Sequence, residues 1–140
     1  MSIVTHKVQT TRFQIRAIAM LNTSDKAVSQ VVLVDTPGIF APRKQDRLAK
    51  SMVHAAWTGA NDSQLVVHVV DAPAWLRQEK GNGSAQDRLS VDDTNSVQAG
   101  LKKRRANALL VLNKVDEIPH DELLPLIATF GAMETYSEIL

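Results

Sequence analysis

Short runs of apolar residues without alternation recur three times along the 140-residue chain. They are Gln30–Val34, Leu65–Val70 and Ala108–Leu112, and runs of this length predict strands buried on both faces, as in a parallel sheet. An earlier segment, Phe13–Asn22, instead alternates between apolar and other residues, which predicts an edge strand with one face in water. The pattern therefore predicts a hairpin that leads into a mainly parallel sheet.

Segments with helical periodicity lie between these predicted strands. Apolar residues recur at steps of four and five in Asp46–Ala60, which predicts an amphipathic helix. Two more helices are predicted over Asp93–Arg105 and Asp121–Met133, the latter only if Pro125 lies within its first turn. The charged stretch Arg77–Asp93 has no period and predicts a mobile loop, and the last four residues begin another strand. Alternating strands and helices predict an α/β fold.

Composition narrows the classes of protein. A chain of this length with 44% hydrophobic residues can form one domain with a sizeable core. The net charge of +1 gives the protein no long-range electrostatic attraction to nucleic acid or to a membrane surface. With no cysteine there is no disulfide framework and no thiolate metal site, so a cytoplasmic location fits. His68 is interpreted as a core histidine, because no second metal ligand stands at a suitable spacing.

Polar residues follow the third apolar run at once, as Asn113-Lys114-Val115-Asp116. Groups at this point lie at the carboxyl edge of the sheet, where open α/β folds bind ligands. The same residue types are also tolerated in an ordinary surface turn. Asn-Lys-x-Asp is the guanine-recognition motif of the P-loop GTPases, and the chain resembles that superfamily at these residues.

The chemistry of the motif suits guanine. The Asp116 carboxylate can accept hydrogen bonds from the ring N1–H and from the exocyclic amine, whereas adenine offers neither donor. Sites built around such polar pairs reject the wrong ligand by roughly 10⁴–10⁵. The resemblance further implies that Asn113 bonds the polar edge of the base and that the stem of Lys114 lies over the purine face.

A second motif, Asp35-Thr36-Pro37-Gly38, follows another predicted buried strand. Its separation from the guanine motif leaves room for the helix, strand, helix and strand that a P-loop GTPase requires. A strand-ending turn would also use proline and glycine for their backbone geometry. The resemblance implies a phosphate-facing segment, in which Asp35 holds Mg²⁺ and the Gly38 N–H meets the γ-phosphate.

The loop before the first strand contains Thr10 and Thr11. A switch loop needs a threonine that ligates Mg²⁺ and reaches the γ-phosphate; Thr11 is the first candidate and Thr10 the second. Ile39 stands where Ras-type enzymes place a glutamine that positions water. An apolar side chain cannot do this, so the hydrolytic device is unassigned; related GTPases use other groups, in some cases K⁺.

Together, SIVTHKVQTTRFQIR, VLVDTPGIFAPR and LLVLNKVDEI resemble the Era family of bacterial GTPases. The resemblance implies a Ras-like three-layer fold and hydrolysis of GTP to GDP with Mg²⁺. It also implies a switch in small ribosomal subunit assembly, with rRNA bound through a KH domain. The location implied is cytoplasmic, with peripheral contact at the inner face of the membrane. The Der and MnmE families share two of the motifs but fit less well around His6–Arg12.

The phosphate-binding motif Gly-x-x-x-x-Gly-Lys-Ser/Thr is absent, because no glycine in the chain is followed by lysine. In this fold the strand carrying it lies between the strands that end at Asp35 and Asp71. Residues 1–140 are therefore interpreted as a partial Era-type GTPase domain without a KH domain, marginally stable and weak or inactive with GTP. The alternatives are a non-catalytic GTPase-like interaction module and a Der- or MnmE-type fragment.

Overall fold

In the part of the chain that the structure describes, an antiparallel hairpin and a helix belong to the first of two units. The computed structural model describes residues 15–22, 28–36 and 47–140, and the two units divide after Asp62. Strands β1 (Ile15–Asn22) and β2 (Val28–Asp35) pair antiparallel along their whole length. Helix α1 (Arg47–Asp62) follows and buries Met52 and Ala56. The predicted hairpin strands and amphipathic helix are confirmed over the described residues. The prediction that β1 has only one face in water is wrong, because Met20 and Leu21, on opposite faces of the strand, are both more than half exposed.

The prediction that β2 is buried on both faces is wrong. Val32 and Leu33 of β2 are both more than half exposed. Among the described residues β2 has β1 as its sheet neighbour, and the two strands form a two-stranded sheet. An apolar run predicts a strand, but burial on both faces requires elements packed against both faces.

A parallel three-stranded sheet organises the second unit, in the order β3-β4-β5. Residues of β3 pair one for one with those of β4, from Val66 with Ala108 to Asp71 with Asn113. The unit consists of β3 (Val66–Asp71), α2 (Ala72–Glu79), α3 (Ala85–Arg104), β4 (Ala108–Asn113), a 3₁₀ helix (Val115–Glu117), α4 (His120–Gly131) and β5 (Glu138–Ile139). The predicted parallel sheet is confirmed for the runs Leu65–Val70 and Ala108–Leu112, whereas Gln30–Val34 lies in the antiparallel pair of β1 and β2.

One face of this sheet carries the core. Strand β3 buries His68 and Val70, whereas Val67 and Val69 on the other face are more than half exposed. The core cluster continues into the helices, where the Trp75 and Phe130 rings lie 4.6 Å apart between centroids. Its buried members are Val70, Ala72, Leu76, Leu110, Leu112, Leu126 and Phe130. Strand β3 is therefore buried on one face, not on both as predicted.

His68 is a core histidine, as predicted. Its Nδ1 lies 2.8 Å from the Tyr136 hydroxyl, and burial lowers the pKa of His68 to about 4. Burial also raises the pKa of Tyr136 to about 12, so the hydroxyl keeps its proton at neutral pH. The hydrogen bond between the imidazole and the hydroxyl joins β3 to the segment before β5.

The stretch predicted as a mobile loop, Arg77–Asp93, is mostly helical. Helix α2 continues to Glu79, and α3 begins at Ala85. Ser84 and Asp87 form a capping box at the start of α3, with each side chain bonded to the backbone N–H of the other residue. These bonds satisfy helix N–H groups that apolar periodicity does not report. The predicted helix Asp93–Arg105 is the second half of α3.

An ion pair between Arg77 of α2 and Asp87 of α3 stabilises the connection between the two helices. Arg77 donates from Nη2 to Asp87 Oδ1 at 2.7 Å and from Nε to Oδ2 at 3.2 Å. The guanidinium and the Ser84 hydrogen bonds hold the pKa of Asp87 well below its usual range. Gly81 adopts a left-handed φ of +76°, while a Cβ at Gly83 would lie 2.9 Å from the Gln78 Cα. The glycines of this connection therefore serve a tight turn.

Helix α4 forms where a helix was predicted, but Pro125 is its sixth residue and lies beyond the first turn. Proline has no N–H to donate to the carbonyl of Asp121, four residues earlier. Asp121 is exposed, so water can satisfy that carbonyl, and the helix continues to Gly131. The condition placed on Pro125 from the sequence was too strict.

Candidate nucleotide-recognition site

The three residues of the guanine motif lie together at the carboxyl end of β4. Asn113 ends the strand and pairs in register with Asp71, the last residue of β3. Lys114 follows directly, and Asp116 lies in the 3₁₀ helix. Asn113, Lys114 and Asp116 are all exposed. Because parallel strands end at one edge of their sheet, the motif occupies the edge where ligands of α/β proteins bind.

A left-handed residue turns the chain at this edge. Lys114 has φ 61° and ψ 34°, a conformation that residues other than glycine adopt uncommonly. Its carbonyl accepts a hydrogen bond from the Glu117 N–H at 3.0 Å, and the Val115 carbonyl accepts one from Ile118 at 3.3 Å. The turn therefore directs the chain from strand into 3₁₀ helix within one residue, and unfavourable conformations of this kind cluster at functional sites.

Sequence reasoning missed a fourth residue at this edge, Asp71. Lys114 donates from Nζ to Asp71 Oδ2 at 2.6 Å. The other carboxylate oxygen, Oδ1, accepts the Ala74 N–H at 3.0 Å and caps α2. Hydrogen bonding and the charge of Asp71 raise the pKa of Lys114. The signal available in the sequence was a carboxylate that directly ends a second apolar run, next to the strand that carries the motif.

The phosphate-facing residues predicted from the sequence are only partly described. Asp35 ends β2, pairs in register with Ile15 and is exposed, and Thr36 follows it. Thr10, Thr11, Pro37 and Gly38 lie outside the described residues, so their predicted roles remain predictions. Within residues 15–22, 28–36 and 47–140, no group of three or more His, Asp or Glu side chains is arranged to hold a metal ion.

In the same part of the chain, no helix combines the length and the apolar character needed to cross a bilayer.

Comparison with protein families assigns residues 1–114 to a family described as "50S ribosome-binding GTPase". Curated relatives of the chain are also GTPases by name. GTPase Era of Maricaulis maris is 49% identical over 138 residues, which cover 99% of this chain and 42% of the relative. GTPase Era of Caulobacter vibrioides is 41% identical with the same coverage, and that of Mesorhizobium japonicum is 43% identical over 91% of this chain and 34% of the relative.

Solved structures show the same relationship. A crystal structure of Era in complex with MgGDPNP and nucleotides 1506–1542 of 16S ribosomal RNA superposes with a TM-score of 0.72 at 29% identity, covering 99% of this chain and 41% of that one. A variant of Aquifex aeolicus Era bound to GDP·AlF₄⁻ gives a TM-score of 0.70 at 29% identity, with the same coverage. The chain therefore spans between about a third and two fifths of the length of the relatives and solved structures that it matches.

Proposed function

This chain belongs to the family of 50S ribosome-binding GTPases, and we propose that it is an Era-type guanine-nucleotide-binding protein that reads the base with Asn113, Lys114 and Asp116. The observation that carries the proposal is the arrangement at the end of β4. All three side chains are exposed on one turn at the ligand-binding edge of a parallel sheet. Residues 1–140 then form part of an Era-type GTPase domain.

Asp116 is the selective group in this proposal. Its carboxylate accepts one hydrogen bond from guanine N1–H and one from the exocyclic amine, so adenine would leave it unpaired and desolvated. Asn113 bonds the polar edge of the base and steadies the turn. The methylene stem of Lys114 covers one face of the purine, which removes apolar surface from water.

We propose Asp35 as a ligand, direct or through water, of the Mg²⁺ that accompanies the nucleotide. The donor chemistry fits, since Mg²⁺ prefers oxygen ligands and uses few carboxylates beside phosphate and water. Thr11 is the second proposed ligand, with Thr10 as its alternative. Thr36, Pro37 and Gly38 form the proposed phosphate-facing segment. The bound ion would neutralise charge on the phosphates.

The proposed activity is that of a GTP-hydrolysing switch in assembly of the small ribosomal subunit. The small subunit is favoured because the Era relative solved with MgGDPNP was bound to a segment of 16S ribosomal RNA. The family description, "50S ribosome-binding GTPase", supports a ribosomal role in general. We therefore propose rRNA as a partner of the protein and the cytoplasm as its location. Since the 140 residues contain no Gly-Lys pair, we expect weak nucleotide affinity from these residues alone.

The test is a titration that detects weak binding. In ¹H–¹⁵N correlation spectra of the chain, GDP is expected to shift the backbone signals of Asn113, Lys114 and Asp116, whereas ADP at the same concentration leaves them in place. Asp116→Asn should exchange this preference for xanthosine diphosphate, because an amide NH₂ can donate to the 2-carbonyl of xanthine while its oxygen accepts from N1–H.

The control is Asp121→Asn, which changes an exposed carboxylate at the start of α4. It should keep the preference for GDP. Equal shifts with GDP and ADP, or no shift with either, would contradict the proposal. The second result would favour a non-catalytic interaction module, a function that the absence of a Gly-Lys pair makes the natural alternative.

A further inference from the structure

Asp71 uses its two carboxylate oxygens for two different elements. Oδ1 accepts the Ala74 N–H and caps α2, whereas Oδ2 accepts the Lys114 ammonium group at 2.6 Å. Capping a helix needs one oxygen. The second oxygen is directed at a residue that stands 43 positions away in the chain and belongs to the guanine motif.

We propose that Asp71 is a positioning residue for guanine recognition, which acts by holding Lys114 with its stem extended along the edge where the base would lie. This inference rests on the proposed function, since it assigns a role to Asp71 only through the base-covering role of Lys114. It adds to the site a residue that lies on a neighbouring strand and outside the Asn-Lys-x-Asp motif.

The need for such a partner follows from the properties of Lys114. Its side chain is 48% exposed, and a lysine with free rotamers loses considerable entropy when it is ordered over a ligand. Its backbone is also in the left-handed region. An ion pair already formed in the unliganded protein orders the side chain beforehand, so less order has to be created on binding.

The register of the sheet fixes this contact. Asp71 and Asn113 are directly paired in β3 and β4, so the residue after Asn113 starts next to the end of β3. The Asp71 carboxylate is in turn held by the first turn of α2. Lys114 therefore meets a fixed anchor, not a flexible surface carboxylate.

Asp71→Asn separates the two roles of the carboxylate. The asparagine side-chain oxygen still caps α2, as asparagine caps as well as aspartate, but the charge that attracts Lys114 is gone. We expect Asp71→Asn to weaken GDP binding by about 2- to 5-fold, the range of exposed ion pairs. The ¹H–¹⁵N signal of the Lys114 ammonium group should shift and broaden in the same variant, without any nucleotide.

A double-mutant cycle with Lys114→Met tests whether Asp71 acts through the lysine. Methionine keeps much of the apolar stem and removes the ammonium group. In that background Asp71→Asn should change GDP affinity by less than about 1.5-fold, since the interaction it removes no longer exists. Equal effects of Asp71→Asn in the two backgrounds would overturn the inference, because they would reveal a purely structural role.

The chain also offers a matched control, the pair Lys80–Glu122. Its side chains are 51% and 23% exposed, against 48% and 26% for Lys114 and Asp71. Glu122→Gln removes an equivalent ion pair away from the motif and should leave GDP affinity unchanged.

The outcomes separate this inference from the proposed function. If the unaltered chain distinguishes GDP from ADP but Asp71→Asn affects neither the affinity nor the Lys114 ammonium signal, the inference fails and the proposed function stands. If the unaltered chain does not bind GDP, both fail. A weakening that is found with Asp71→Asn, is absent in the Lys114→Met background and is not reproduced by Glu122→Gln supports both.

Discussion

The two sheets found among the described residues contain similar apolar residues but bury them very differently. In the hairpin, Ile18 and Val32 are both more than half exposed, whereas Val70 of β3 and Leu110 of β4 are almost completely buried. The difference lies in what packs on each sheet. Helices α2 and α4 contribute side chains to the core of the second unit. Apolar residues stabilise a fold only to the extent that folding removes them from water.

The largest expected contrast is between a core aromatic residue and an exposed hairpin residue. Phe130→Ala removes a buried ring that contacts Trp75 and should destabilise the second unit by about 3–5 kcal/mol. Ile18→Ala in β1 should cost less than about 0.5 kcal/mol. Urea unfolding followed by far-ultraviolet circular dichroism measures both. Similar losses would mean that the hairpin is covered in solution.

The buried His68 should make the stability of the second unit depend on pH. Folding lowers the pKa of His68 from 6.5 to about 4, so between these values the unfolded chain binds more protons than the folded one. Stability should therefore fall as the pH drops from about 6.5 to about 4, by up to about 3 kcal/mol, and this loss should level off below pH 4. Urea unfolding midpoints measured across this range test it.

Two variants test whether His68 causes this loss of stability in acid. His68→Gln should flatten the pH dependence in this window, because no imidazole then remains to be protonated in the core. His54→Gln, which changes an exposed histidine of α1, should leave the curve as it is. An unchanged slope in His68→Gln would show that other groups cause the acid sensitivity.

The smallest contrast lies within one strand. Val70 and Val69 are neighbours in β3, but Val70 is 1% exposed and Val69 is 56% exposed. Val70→Ala should cost about 2 kcal/mol and Val69→Ala less than about 0.5 kcal/mol, as measured by thermal unfolding. Equal costs would indicate that the outer face of the sheet is also buried in solution.

The position of a strand could be predicted from the sequence, but its burial could not always be. The strand Ala108–Leu112 and the polar turn after it were predicted because a continuous apolar run and a motif coincide there. Local patterns of this kind depend on neighbouring residues only. Exposure of Val32 could not be predicted in the same way, because it depends on which elements pack on β2 and not on the residues within it.

The Asp71–Lys114 pair could not be predicted, for a different reason. The two residues are 43 positions apart, and the contact exists because Asp71 pairs in register with Asn113. A shift by one residue would place Asp71 on the opposite face. By contrast, the start of α3 could have been predicted, since Ser84 and Asp87 have the spacing of a capping box.

The turn between α2 and α3 has a consequence for which sequences the fold can accept. Gly81 has a left-handed φ but open space around it, so asparagine, which tolerates this conformation, is an acceptable replacement. Gly83 faces the backbone of Gln78, and a Cβ there would lie 2.9 Å from its Cα. No other amino acid fits unless the backbone moves. Two glycines separated by one residue thus differ in their mutational tolerance: one position requires a conformation, and the other requires the absence of a side chain.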